Sequence, residues 1–389
     1  MKNLTYISLF SSAGVGCFGF KQAGLRCIAT NELIQRRLDV QKFNDKCKCQ
    51  SGYINGDILL DETKEKISNE ISMWKKKEGL EDVTVITATP PCQGMSVANH
   101  KKKDEQSRNS LVVESIKVIK QIIPKFFVLE NVRAFLTTIC TDIDGKCKRI
   151  EDAIFYNLGG MYDIESAVMN FKDYGSNSSR TRTLVIGARK DLKVDPKTLF
   201  PEKAKEKTLG EVIGGLPSLT EMGEISAEDI YHNFRSYKPE LRNWIKDLSP
   251  GQGAFDNADP DKLPHYFKDG KKVFSKNGNG DKYTRQSFDK VAPCIHTRND
   301  ILASQNTVHP VDDRVFSIRE LMLMMTIPKE FKWSDKGLIE LNSLSLDEKK
   351  KFIKQSDINI RQSIGEAVPT AIFNIVAKNI KKAIGGSSD

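Results

Sequence analysis

Val83-Thr84-Val85-Ile86-Thr87-Ala88-Thr89-Pro90-Pro91-Cys92-Gln93 decides how this chain folds. Its first seven residues are apolar or β-branched, the composition of a buried strand, and two prolines stop it. A second run, Lys125-Phe126-Phe127-Val128-Leu129, leads into Glu130-Asn131-Val132. Between them, Asn109 to Ile123 carries Leu111, Ile116, Ile119 and Ile123 at helical spacing. Strand, helix and strand in that order form a βαβ unit with parallel neighbouring strands. Reactive groups of open α/β sheets gather at the carboxyl ends of the strands. The pattern therefore predicts a thiol, Cys92, and a carboxyl, Glu130, on one sheet edge, each at the end of its strand.

Upstream, Leu4 to Phe10 reads as a buried strand. It runs into Ser11-Ser12-Ala13-Gly14-Val15-Gly16-Cys17-Phe18-Gly19, which opens a short helix to Ala23. Gly14, Gly16 and Gly19 spell G-x-G-x-x-G, and Glu32 closes the next strand, Arg26 to Asn31. In a Rossmann unit such glycines bring the backbone close to a cofactor, and such a carboxylate grips a ribose diol. Read alone, these residues fit a dehydrogenase as well as a methyltransferase, or glycines that only pack a helix on a sheet. A third strand ends at Gly56-Asp57-Ile58. Asp57 there either joins Glu32 on the sheet edge or caps the following helix.

The chain has 389 residues, a net charge of +9 and a pI near 8.9, which suits an anionic partner. No apolar run reaches transmembrane length, and Met1 to Phe10 is too short and too mixed for a signal peptide. Eight cysteines form no disulfide-like framework, so a reducing cytoplasm is expected. Cys47-Lys48-Cys49 is too tight for zinc, and Cys140 and Cys147 are too far apart to complete a site. No metal is expected, and these cysteines read as free thiols on loops.

Downstream come a helix (149–158), a strand (162–169), an irregular segment to Arg182 and another strand (184–188). Arg180 and Arg182 share a face if that segment is extended. From Lys190 to about 305 the chain is rich in Pro, Gly, Asn, Asp and Lys. It reads as an irregular module with long loops, or as a partly disordered insertion. Ser317 to Met325 is a capped helix with core methionines, 346–354 a charged helix, and Pro369 to Ile384 the last helix.

A thiolate and an acid on one edge can add across a conjugated ring. The thiolate attacks one carbon, the acid protonates a ring nitrogen, and the enamine-like carbon so formed attacks a sulfonium methyl. A base inside a duplex must flip out first. After Cys92, the segment with Ser96, Asn99, His100 and Lys101-Lys102-Lys103 suits closure over a phosphate backbone.

With these residues in place, the chain resembles the cytosine-C5 DNA methyltransferases of bacterial restriction–modification systems, over nearly all of 4–189 and 305–380. Ser8-Leu9-Phe10-Ser11-Ser12-Ala13-Gly14 resembles the family's cofactor loop, Pro90 to Ser96 its nucleophile motif and Glu130-Asn131-Val132 its acid motif. Tyr174 to Arg182 resembles Y-G-x-x-Q-x-R-x-R. His309-Pro310, Arg314, Arg319-Glu320 and Pro328 resemble its H-P…R…R-E…P stretch, and Gln362 to Pro369 resembles Q-x-G-N-A-V-P.

The resemblance implies an α/β fold, a doubly wound, mostly parallel sheet with a smaller irregular target-recognition domain. The catalytic domain would span 1–189, completed by 355–389 with the last helix beside the first strand, and the recognition part 190–354. Cys92 would attack C6 of cytosine, Glu130 contact N3, Arg182 hold O2, and Arg180 and Ser96 support the closed loop. S-adenosyl-L-methionine would lie on Phe10, Gly14, Glu32, Asp57, Ile58, Pro90 and Ala367. Gln93, Ser96, Lys101, Lys102 and Lys103 would meet double-stranded DNA. The protein would act as a monomer on the bacterial nucleoid, beside a separate restriction endonuclease, on a sequence set within 190–310.

Three positions depart from the family. Ser8 replaces an Asp, predicting a weakened contact near the cofactor's amino-acid moiety. Ser178 replaces a Gln, altering support for Cys92, and Glu366 replaces an Asn, placing a carboxylate near the cofactor. Two other readings remain: a transfer-RNA methyltransferase, whose family carries a Cys-Phe-Thr tripeptide absent here, and a non-catalytic DNA-binding relative.

Overall fold

In a computed structural model, residues 4–91, 110–276 and 280–385 are described. The chain divides into two units. The first holds residues up to Tyr174, Thr181–Ala204 and everything from Val368; the second holds Gly175–Arg180 and Lys205–Ala367.

The first unit is built on a seven-stranded sheet. Its strands in chain order begin with β1 (Thr5–Leu9), β2 (Arg26–Glu32), β3 (Tyr53–Asn55), β4 (Val85–Ala88) and β5 (Phe126–Val132). A small hairpin, β6 (Ile139–Thr141) and β7 (Cys147–Arg149), precedes β8 (Tyr162–Asn170) and β9 (Thr181–Arg189). The sheet order is β3-β2-β1-β4-β5-β9-β8. The pairs from β3 to β5 are parallel, whereas β9 is antiparallel to both β5 and β8. The expected doubly wound, mostly parallel sheet is what the chain forms.

Continuous apolar strands follow from burial on both faces. Ile7, Ile86, Phe127 and Leu129 pack with the helices Asp61–Glu78, Leu111–Ile122 and Ile150–Leu158. Their sequence neighbours Tyr6, Val85, Phe126 and Val128 join the opposite core with Phe20, Leu38 and the last helix, Thr370–Gly385. That helix lies on Phe18–Gln22, the helix opened by the glycine motif. Thr370 donates its hydroxyl to the Val15 carbonyl (3.1 Å), and Asn374 its amide to the Gly19 carbonyl (3.1 Å). A Cβ on Gly19 would meet the Thr370 oxygen at 2.4 Å and the Asn374 nitrogen at 2.5 Å. Gly19 therefore serves helix packing.

Two expected boundaries move. Glu130 lies inside β5, not at its end: parallel pairing with β4 stops at Leu129, but antiparallel pairing with β9 continues through Val132. The charged helix extends from Leu346 to Glu366 because Asp357, Ile360, Arg361 and Ile364 bury its second half. Cys47 is a free thiol between named elements and is buried, its sulfur 3.4 Å from that of Cys27. Among the described residues no helix is long and apolar enough to cross a membrane.

Apart from the long helix Leu346–Glu366, the described residues of the second unit form short helices and a hairpin, β10 (His265–Lys268) and β11 (Lys271–Phe274). It has its own core, with Trp244, Ile245, Leu248, Tyr283, Val308 and Val315. Loop carbonyls that no ladder satisfies must find other donors, and buried arginines supply them. Arg285 donates to the carbonyls of Ile245 (2.7 Å), His309 (3.0 Å) and Val311 (3.0 Å), and Arg361 to that of Phe316 (2.8 Å). Arg314 grips both Glu320 oxygens, at 2.8 and 2.9 Å, while Ser317 caps the helix Ile318–Met324 in a capping box with Glu320. Met322, Met324 and Met325 are core residues, as expected.

Burial pushes the His309 imidazole down to about 4 from 6.5. Burial pushes the Glu320 carboxyl up, but the adjacent Arg314 outweighs it and holds the group at about 2. Both groups therefore bind protons more readily when unfolded. His309 contributes stability that is present above its unfolded value of 6.5 and lost as pH falls toward 4; Glu320 acts likewise from 4.5 toward 2. Urea unfolding should show about 2 kcal/mol less stability at pH 5 than at pH 7 through His309, and His309→Gln should flatten that slope. Gly19→Ala should lower the urea midpoint of the parent, a loss of about 2 kcal/mol or more.

Candidate active site at the switch point of the sheet

The strand order reverses between β1 and β4, because the chain winds from β1 outward to β3 and then returns to β4. In open α/β sheets the crevice beyond such a reversal receives the ligand. Here the two strand ends are tied together: Thr89 donates its amide to the Leu9 carbonyl (3.4 Å) and its hydroxyl to the Phe10 carbonyl (3.0 Å). Phe10, half-buried at positive φ (53°), turns the chain out of β1, and Gly14, at φ 80°, turns it again. Gln41 braces this loop, donating to the Ser11 hydroxyl (2.8 Å) and the Ser12 carbonyl (2.6 Å).

Glu32 ends β2 beside the same loop. Its carboxylate accepts the backbone amides of Ser12 (2.7 Å) and Ile34 (3.0 Å). Asn31 donates to the carbonyls of Ile54 (3.2 Å) and Gly56 (3.0 Å), joining the ends of β2 and β3. Asp57 follows β3 and accepts the Leu59 amide (3.0 Å). It closes a turn ahead of the helix, whose N-cap is Leu60, and is only half-buried. Ile58 points into the core. An aromatic ring, a loop of turned backbone and two carboxylates at three adjacent strand ends suit an adenine, a ribose diol and an ammonium, so these residues fit an adenosyl amino acid.

Pro90 is buried at the end of β4, and Asn131 donates its side-chain amide to the Pro90 carbonyl (2.9 Å). That contact joins the residue before Pro91-Cys92 to the acid motif on β5. Glu130 is buried, its Oε1 3.3 Å from Nε of Arg182. Arg182 is diagonal to it: Glu130 faces Leu184 across the β5–β9 pair, and Arg182 lies two residues from Leu184. Thr183 donates its hydroxyl to the carbonyls of Val132 and Arg133, both at 3.2 Å. Sequence reasoning missed the tie from Asn131 and the brace from Gln41. Asn131 stood within a quoted motif, but Gln41 lies on a helix with no motif to mark it.

The two arginines have different partners. Arg180 belongs to the second unit, is buried, and donates to the carbonyls of Ile295 (3.4 Å), Gly365 (3.2 Å) and Glu366 (3.3 Å). Arg182 lies in β9, whereas Arg180 precedes it. Ala367 is also in the second unit, at the C-cap of the helix Leu346–Glu366. Cys92, Gln93, Ser96, Lys101, Lys102 and Lys103 lie outside the described residues.

The departures acquire local partners. Ser8 is fully buried with its oxygen 3.0 Å from the Cys17 sulfur, so it faces the core. Ser178 contacts the Met325 sulfur at 3.7 Å, and Glu366 accepts the Gln362 amide at 2.8 Å.

Residues 4–382 match the family model for C-5 cytosine-specific DNA methylases. Type II methyltransferase M1.HgaI of Avibacterium volantium is 31% identical over 97% of this chain and 98% of its own. M1.HphI of Haemophilus parahaemolyticus is 26% identical over 98% and 87%. In fold, the chain is similar to a solved structure described as a prophage-encoded DNA modification methyltransferase of E. coli. That likeness has a TM-score of 0.65 and 18% identity, over 98% of this chain and 100% of the other. The chain belongs to the C-5 cytosine-specific DNA methylases, enzymes whose cofactor is S-adenosyl-L-methionine.

Proposed function

We propose that the protein methylates C5 of a cytosine flipped out of double-stranded DNA, through a covalent adduct with Cys92, as the modification half of a restriction–modification system. The observation that carries the reading is the Asn131–Pro90 hydrogen bond, which supports placing the nucleophile segment beside the buried Glu130–Arg182 pair. The names of the type II relatives support the restriction–modification setting.

The Cys92 thiolate adds to C6 of the ring, forming a carbon–sulfur bond, while Glu130 holds the proton at N3 and keeps the negative charge off the ring. Arg182 orients O2 and the Glu130 carboxyl together. Phe10 would stand against the adenine of S-adenosyl-L-methionine, Glu32 on its ribose and Asp57 toward its amino group; the cofactor would supply a sulfonium methyl group to C5 and leave as the neutral thioether, taking the electrons of the S–CH3 bond. A water then takes the C5 proton, the electrons of that C–H bond expel the Cys92 thiolate from C6, and N3 returns its proton to Glu130, restoring the ring. Arg180, which bonds three carbonyls, acts by positioning rather than by touching the base. Residues 1–189 with 355–389 form the catalytic part and 190–354 the recognition part. Gln93, Ser96 and Lys101 to Lys103 meet the DNA backbone. The enzyme works as a monomer on cytoplasmic DNA, apart from its endonuclease.

Bisulfite sequencing of DNA from cells expressing the protein should reveal one methylated motif, absent with Cys92→Ala. The parent should form a denaturation-resistant complex with 5-fluorocytosine duplexes and Cys92→Ala should not; parent without motif or complex overturns the reading. Glu130→Gln should lower kcat by about 10²-fold or more. Glu32→Gln should weaken S-adenosyl-L-methionine binding by about tenfold in calorimetry, as expected for loss of a charged hydrogen bond.

A further inference from the structure

The hairpin β10–β11 has no buried residue. Its two-residue turn, Asp269-Gly270, has both φ values positive (50° and 73°), the tight geometry that continues a twisted ribbon. The root is fixed: the His265 ring packs on Trp244 at 5.4 Å, and Ser275 donates its amide to the Pro264 carbonyl at 2.8 Å. The rings of Phe267 and Phe274 stand edge-on to His265, at 5.6 and 6.4 Å, and are open on their other sides. Tyr266 and Phe267 are 52% and 69% exposed, Phe274 is 49% exposed, and every residue from Tyr266 to Lys271 is exposed.

Single exposed apolar residues need no explanation, but three large rings on one short ribbon do. Register decides which way they face. Phe267 opposes Lys272 and shares a face with His265 and Phe274, whereas Tyr266 opposes Val273 and shares the other face with Lys268 and Lys271. Both faces therefore carry an exposed ring, and a partner laid flat on one face would leave the other ring in water. The ribbon is suited to entering a groove tip-first. Charge selects the groove. Lys268, Lys271 and Lys272 outnumber Asp269, and only Lys272 has a carboxylate partner among the described residues, Asp261 at 2.9 Å. The major groove of B-DNA, about 12 Å wide, admits a two-stranded β-ribbon.

We propose that β10–β11 enters the major groove of the target duplex tip-first and selects the sequence to be methylated. The tip lysines, Lys268 and Lys271, donate to guanine O6 and N7. Tyr266 and Phe267 pack against thymine methyl groups and the groove walls. This assignment rests on the reading of the protein as a duplex-DNA methyltransferase and adds the element that makes contact.

The test measures two things on the full chain: anisotropy of fluorescent duplexes across a salt series, and the methylated motif by bisulfite sequencing. Phe267→Ala and the double variant Lys268→Gln/Lys271→Gln lie at an exposed tip, and circular dichroism checks that they fold. Each should weaken binding to duplexes carrying the parent's motif by about tenfold, more than binding to arbitrary duplexes. The double variant should also tolerate a second base at one motif position. Unchanged motif and affinity in both variants overturns the ribbon assignment while the methyltransferase reading stands. Parent that binds duplex but methylates nothing overturns that reading, and the ribbon is then judged by affinity alone. Parent that binds no duplex overturns both. Self-association lost in Phe267→Ala, with DNA binding intact, assigns the ribbon to a second copy of the chain and overturns the proposal.

Discussion

The first unit depends on one constraint: β1 pairs in parallel with β2 on one side and β4 on the other. A parallel pair needs a crossover, and crossovers are right-handed. The chain must therefore cover one sheet face on its way to β3 and the other on its way through β4 and β5. The reversal leaves no crossover above the carboxyl ends of β1 and β4. Phe10 and Pro90 stand there side by side, linked through Thr89. The loop after β1 and the end of β4 meet because of topology, although 79 positions separate the bonded pair.

The second unit solves a different problem. Its loops cannot satisfy their carbonyls by ladders, and burying an unpaired carbonyl costs about 1–3 kcal/mol. Five donors on a planar guanidinium can bridge several strands of loop at once. Arg180, Arg285 and Arg361 are used in this way, and Arg314 is locked by Glu320 and Asp312. Such a frame leaves surface loops free of packing duties.

Much of the first unit was legible because its signals are local. Alternating burial on two faces makes apolar runs such as Val83–Thr89 and Phe126–Leu129; β4 formed within two residues of its run, and β5 ran on to Val132. The glycine motif was legible as a turn, yet Gly19 answers to a helix more than 350 positions away. Arg180 and Arg182 show the limit most clearly. They are two positions apart, identical in type and equally placed in a motif, but one bonds backbone carbonyls and the other faces Glu130.

By itself the sequence determined the element types, the parallel β4–β5 unit and the chemical classes at the strand ends: a thiol, carboxylates and an aromatic ring. Those follow from side-chain spacing and backbone stereochemistry, which act over a few residues. Only the tertiary structure decided which of them meet. Glu130 is held by its register with β9, the Pro90 carbonyl by Asn131, and the Gly14 loop by Gln41, because each partner comes from a distant segment brought near by burial.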